Sequence, residues 1–183
     1  MSMARTSRPP PVAVDVVVEA GAWGEEDALA PAIEAVVAAA LARKPATVVP
    51  GAELAVILTD DAAIRKVNRE HRGVDKPTNV LSFPISDPDA TRFGPLLGDI
   101  LVARETVARE AAERGWSLDH YLAHMVVHGF LHLLGYDHQI EEDAERMERL
   151  EAAILADLGI DDPFTPIEDE PDPHPAAARE SET

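Results

Sequence analysis

The segment HGFLHLLGYDH, residues 128–138, constrains this chain more than any other feature, because it sets three histidines at steps of four and six residues inside an apolar run. Met125, Val126, Val127, Phe130, Leu131, Leu133 and Leu134 ask for a helix packed into a core. Four residues advance a helix by about 400° and roughly 6 Å, so His128 and His132 leave the same face one turn apart and can converge on one ion. Gly135 suits a helix end in the left-handed conformation, after which Tyr136 and Asp137 turn the chain and His138 faces the pair. The bland alternative is a buried amphipathic helix whose histidines serve only packing.

The same spacing occurs in metzincin peptidases, where a glutamate directly after the first histidine is the general base. Here that position is Gly129, so the ligand cage is kept without the peptidase base. The chain has no cysteine, which excludes disulfides, thiolate catalysis and cysteine-based zinc or iron-sulfur sites. Nitrogen and oxygen remain as the strong metal ligands, and three imidazoles fit that restriction.

Strand and helix patterns surround the segment. Val12–Val18, Glu53–Leu58, Asn79–Phe83 and Asp99–Val102 read as strands. Glu25–Arg43, Ala62–Glu70, Arg104–Arg114, Leu118–Leu134 and Glu141–Leu158 read as helices, the last with Ala144, Met147, Leu150 and Ile154 inward. The expected fold is α/β (α+β): a single domain over 12–162 with a mixed sheet of about four strands packed against helices. The metal helix should lie on one sheet face, with His138 near the start of the final helix. Strand order is open at this point. Residues 1–11 form a polar, proline-rich N-terminal extension and 163–183 an acidic, proline-rich tail, both expected to be disordered.

The net charge of -18 speaks against a nucleic-acid partner, since phosphate contacts drive such binding. Its distribution softens the objection. Residues 161–183 carry -7 and the rest of the chain -11, while Arg65–Lys76 holds five basic side chains against Glu70 and Asp75. Taken alone, that patch reads first as a solvated helix face. Within it, Arg72 offers a planar fork to phosphate and Lys76 a point charge, unless Arg72 simply pairs with Asp75. No apolar run reaches membrane-spanning length and the start, MSMARTSRPPP, lacks a signal core, so the expected location is the cytoplasm.

Three blocks, HRGVDKPTNVLSFP at residues 71–84, LGDILVA at 97–103 and HMVVHGFLHLLGYDH at 124–138, together resemble the YbeY-type endoribonucleases. The resemblance spans roughly residues 14–158. It implies a single-strand-specific, zinc-dependent endoribonuclease of 16S ribosomal RNA 3′-end maturation and ribosome quality control. It further implies His128, His132 and His138 as metal ligands for one Zn2+ and Arg72 as a functionally important arginine. The implied partners are single-stranded rRNA, the small ribosomal subunit and an assembly GTPase.

On that basis, three neutral imidazoles leave a fourth zinc position open, where water can ionise near a pKa of about 7. Arg72 would stabilise charge on the phosphoryl oxygens and Lys76 position the RNA backbone, making Arg72 and His128 the expected catalytic residues. Attack by bound hydroxide and attack by the ribose 2′-hydroxyl both stay open. His124 is either an auxiliary group one turn before His128 or a packing residue. Asp137 and Asp99 are candidates for orienting the ligand imidazoles and Ser82 for a phosphate contact, although turn formation or helix capping explains Asp137 as well and Ser82 reads equally as an ordinary outward hydroxyl at a strand end. His71 and His120 read as surface residues. The rivals are a peptidase-like zinc hydrolase using a carboxylate from elsewhere in the fold, against which Gly129 counts, and a non-catalytic assembly factor in which zinc is structural and the basic segment docks RNA.

Overall fold

The computed structural model describes residues 11–166. The expected extension and tail therefore lie outside the described residues, apart from Pro11 and residues 163–166. In chain order the elements are β1 (Val12–Val18), α1 (Glu26–Ala42), β2 (Ala52–Thr59), α2 (Asp61–Arg72), β3 (Val80–Pro84), β4 (Leu96–Ala103), α3 (Arg104–Glu113), α4 (Leu118–Leu133) and α5 (Glu141–Asp157). Every strand and helix expected from periodicity is present.

The four strands form one sheet in the order β1-β2-β4-β3. β1, β2 and β4 run parallel, with Val16 opposite Val56 and Val56 opposite Ile100, whereas β3 runs antiparallel to β4 at the edge. Alternation along the strands sorts side chains onto two faces. One face, carrying Val12, Val16, Leu54, Val56, Leu58, Ile100 and Val102, joins α1 and α4 in the main core. The other carries Leu81, Leu101 and Ala103 and is covered at one corner by Ile64 of α2. The expectation that the metal helix lies on one sheet face is met, and the basic helix α2 lies on the opposite face.

Eleven residues of α4 are buried, including Val126, Val127, Phe130, Leu131 and Leu133, so this helix is the centre of the core. It begins with Ser117 as N-cap, whose side chain accepts from the His120 amide. Gly129 lets it approach the sheet: a Cβ there would stand 2.8 Å from Ile100 Cγ2 and 3.0 Å from Ser82 Oγ. The glycine at the position of the peptidase base is thus a packing requirement, and a side chain from it would point into the sheet. Ser82 Oγ donates to the Gly129 carbonyl at 3.3 Å, so this hydroxyl, a candidate for a phosphate contact or an ordinary outward group, faces α4 instead.

Candidate metal centre

The end of α4 is shaped by a left-handed residue. Gly135 has φ 85°, and a Cβ on it would stand 2.4 Å from the Pro88 carbonyl oxygen. Its amide donates to the His132 carbonyl and that of Tyr136 to Leu131, closing the helix in the Schellman manner. Tyr136 then pins the turn, its hydroxyl donating to the Pro45 carbonyl at 2.7 Å with the Arg146 guanidinium over its ring. The His138 amide donates to Asp137 Oδ1 at 2.7 Å, and α5 starts three residues later.

This turn brings His128, His132 and His138 together, one ring nitrogen of each lying within 4.8 Å of the others. The Nε2 atoms of His128 and His132 are 3.0 Å apart. Their opposite nitrogens are occupied: His132 Nδ1 lies 2.7 Å from the Tyr136 carbonyl oxygen, and His128 Nδ1 lies 2.6 Å from Glu151 Oε1. A carbonyl oxygen only accepts, and so does a carboxylate, so both Nδ1 atoms carry the proton. In the neutral rings the two Nε2 lone pairs then face each other, an arrangement that requires a proton or a cation between them. Zinc at about 2.0–2.1 Å from tetrahedral nitrogens would set those nitrogens about 3.3 Å apart, close to the spacing present. The donor set therefore fits a nitrogen-preferring metal, with the three histidines as the residues able to hold it.

Glu151 is the functional residue that sequence reasoning missed. It sits on α5, 2% exposed, with Oε1 against His128 and Oε2 3.4 Å from His124 Nε2. Burial pushes its carboxyl up, but the hydrogen bonds and charges of His124 and His128 outweigh burial and hold it at about 2. The signal was available: Met147, Glu151 and Ile154 recur at helical spacing, so the glutamate occupies a core position of the stripe. Leu150, expected to point inward, is only half-buried. Neither Asp137, which closes its own turn and reaches His132 only through its charge, nor the exposed Asp99 hydrogen-bonds a candidate ligand imidazole; Glu151 and the Tyr136 carbonyl do so instead.

For His132, burial first and the charge of His128 second push the imidazole pKa down, favouring the neutral form that a metal needs. His124 is buried, with its ring edge-on to Tyr121 and Phe164. It stands outside the three-histidine group and shares Glu151 with it.

Arg72 and Lys76 are exposed, at the end of α2 and in the following loop. Asp75 pairs with Arg65 through two contacts of 2.9 and 3.1 Å, not with Arg72 as the surface-turn alternative expected. Neither Arg72 nor Lys76 forms a salt bridge among the described residues. Asn68 fixes the loop by donating to the Lys76 carbonyl at 2.8 Å, and His71 meets Phe83 of β3 edge-on at 5.0 Å. The basic end of α2 and the histidine helix thus flank the edge strand β3 from opposite faces.

With this geometry in view, a family model described as "Endoribonuclease YbeY" matches residues 22–159. The chain belongs to the YbeY endoribonuclease family. An Endoribonuclease YbeY of Rhodopseudomonas palustris is 52% identical over 166 residues, covering 89% of this chain and 85% of the relative. One from Rhizobium meliloti is 52% identical over 157 residues, covering 82% of this chain and 94% of its own. Among solved structures, that of TM1509 from Thermotoga maritima aligns with a TM-score of 0.52 at 24% identity, over 80% of this chain and 91% of that one. The last likeness concerns the fold alone.

Proposed function

We propose that this chain is a metal-dependent endoribonuclease acting on single-stranded ribosomal RNA, with one zinc ion held by His128, His132 and His138. The observation that carries this reading is the pair of Nε2 atoms facing each other at 3.0 Å while both Nδ1 atoms are held by fixed acceptors. Membership of the YbeY family supplies the class of substrate. A side chain at Gly129 would meet Ile100 and Ser82, and the buried carboxylate of Glu151 is engaged by His124 and His128, which counts against the peptidase-like rival.

When bound, the metal supplies Lewis acidity, lowering the pKa of a coordinated water to about 7 and polarising a phosphoryl oxygen. The protein's own part is placement. Glu151 and the Tyr136 carbonyl fix ring orientation and tautomer, leaving Nε2 as the donor atom of His128 and His132. The pinned turn after Gly135 brings the third imidazole without spending a second helix. Arg72, free of carboxylate partners among the described residues, offers its fork to phosphate and stabilises charge that grows on the phosphoryl oxygens. Lys76 guides the RNA backbone.

The proposed setting is 16S rRNA 3′-end maturation on the small ribosomal subunit in the cytoplasm, alongside an assembly GTPase. A chain with net charge -18 meets RNA locally or with the help of a protein partner, so activity on naked RNA should be weak and salt-sensitive. Purified protein loaded with one equivalent of zinc should cleave single-stranded RNA, and His128→Ala or Arg72→Ala should abolish cleavage while the circular dichroism spectrum is retained. Equal RNA degradation by wild type and variants would assign the activity to a contaminant.

A further inference from the structure

Beside the histidines, on the side of α5, lies a cavity of about 230 Å³ whose wall includes His128 and His138. Val80, Met125 and Met147 give it apolar sides, and Phe164 stands at its rim. The volume is below that of ordinary drug-sized pockets, and suits one flat ring system rather than a base pair.

Phe164 is placed there by a built turn. Pro163 is buried and its carbonyl accepts from Arg114 Nη1 at 3.0 Å, while the Phe164 amide donates to Asp162 Oδ1 at 2.9 Å. The ring stands edge-on to His124 at 5.8 Å yet is 40% exposed, one of the few large apolar side chains so exposed among the described residues. Tyr121, donating to Glu110 at 2.8 Å, and Trp116 back the same aromatic group.

The charge of the cavity decides which part of an RNA fits. Glu148 and Glu151 line it and repel phosphate. Its one guanidinium, that of Arg114, is engaged by the Pro163 carbonyl and lies over the Tyr121 ring. An uncharged, planar base with amine donors meets apolar walls, an exposed aromatic ring and a carboxylate acceptor. Phosphates are left to positions outside the cavity, at the histidine group and on the basic side of β3.

We propose that this cavity receives the nucleobase of the nucleotide adjoining the scissile phosphate, with Phe164 as its stacking surface. A base reaches it only when unpaired and unstacked, which makes the cavity a source of single-strand preference. The proposal rests on the RNA-cleaving reading given above.

The test uses the full zinc-loaded chain and a short single-stranded oligoribonucleotide cut at one bond, with abasic residues introduced one position at a time. Wild type should show one position next to the cut where base removal raises KM by about 5- to 150-fold, with a smaller change in kcat. Phe164→Ala should raise KM for intact RNA comparably and erase the penalty at that position alone, and Phe164→Trp should restore it. Binding of the same oligonucleotides to metal-free protein, read by fluorescence anisotropy, should follow the same pattern. Retention of the full abasic penalty in Phe164→Ala, or wild-type KM in that variant, would overturn the proposal while leaving RNA cleavage standing. Failure of wild type to cut the intact oligonucleotide would instead remove the cleavage reading and this proposal with it.

Discussion

Glu151 Oε1 lies 2.6 Å from Nδ1 of His128, and this contact ties the last helix to the histidine helix at one of the three candidate ligands. A carboxylate 2% exposed is costly unless paired, and here both oxygens meet imidazoles. The contact makes α5 part of the metal centre although it contributes no candidate ligand.

Replacing Glu151 by Ala should weaken zinc binding by roughly 10- to 100-fold, because the acceptor that fixes the His128 tautomer is gone. Glu151→Gln keeps an acceptor oxygen and should lose less. Competition against a chromophoric chelator measures both. Equal zinc affinity in wild type and Glu151→Ala would refute the positioning role.

The same carboxyl gives the metal-free protein a defined acid response. Its folded pKa of about 2 lies below the ordinary value of 4.5, so its stabilisation is complete above about pH 5 and drains as pH falls through that range towards 2. The loss should be on the order of 3 kcal/mol, and urea titrations from pH 6 to 3 should show a flatter profile for Glu151→Gln. His132 adds a second effect with the same sign on the fold: burial and the charge of His128 lower its pKa below 6.5, so acid costs the metal-free protein stability as pH falls below that value, while protons compete with metal only in more acidic solution.

Gly135→Ala should destabilise the protein by at least about 1–2 kcal/mol and loosen the metal site. The left-handed φ of 85° disfavours any Cβ, and the Pro88 carbonyl oxygen 2.4 Å away is backbone that cannot swing aside. Thermal melts and zinc titration on the same variant would check both halves. A Gly135→Ala protein with wild-type melting and zinc affinity would contradict the account of the turn.

Much of this was legible in the sequence, for reasons that differ by element. The histidine cage follows from helical spacing and a turn glycine, both local. Strand order is not local: short apolar runs such as Val12–Val18 and Ala52–Thr59 state that a strand exists but not its neighbour. Glu151 shares the helical spacing of Met147 and Ile154, but an acidic residue on an amphipathic helix reads as solvent-facing, and its partners on another helix are not local in sequence. Asp75 posed a similar problem, since adjacency favoured Arg72 while the helix α2 placed Arg65 beside it. Likewise nothing in the strand pattern showed that Ser82 would face Gly129.

Arg72→Ala should leave stability near wild type, because the side chain is exposed and unpaired among the described residues. It should weaken RNA binding for all sequences alike and reduce the slope of log affinity against log salt by about one. Anisotropy titrations between 50 and 200 mM salt, conditions over which phosphate contacts are strongly screened, provide that slope. An unchanged slope would place Arg72 off the RNA path.

If the three histidines hold one metal ion on which RNA cleavage depends, titrating zinc into chelator-treated protein while recording the initial rate of single-stranded RNA cleavage will show it. No cleavage without metal is expected, then a rise that saturates at one equivalent, with no recovery at that ratio in His132→Ala. Cleavage by the metal-free protein at the full rate, or recovery of His132→Ala at one equivalent, would contradict it.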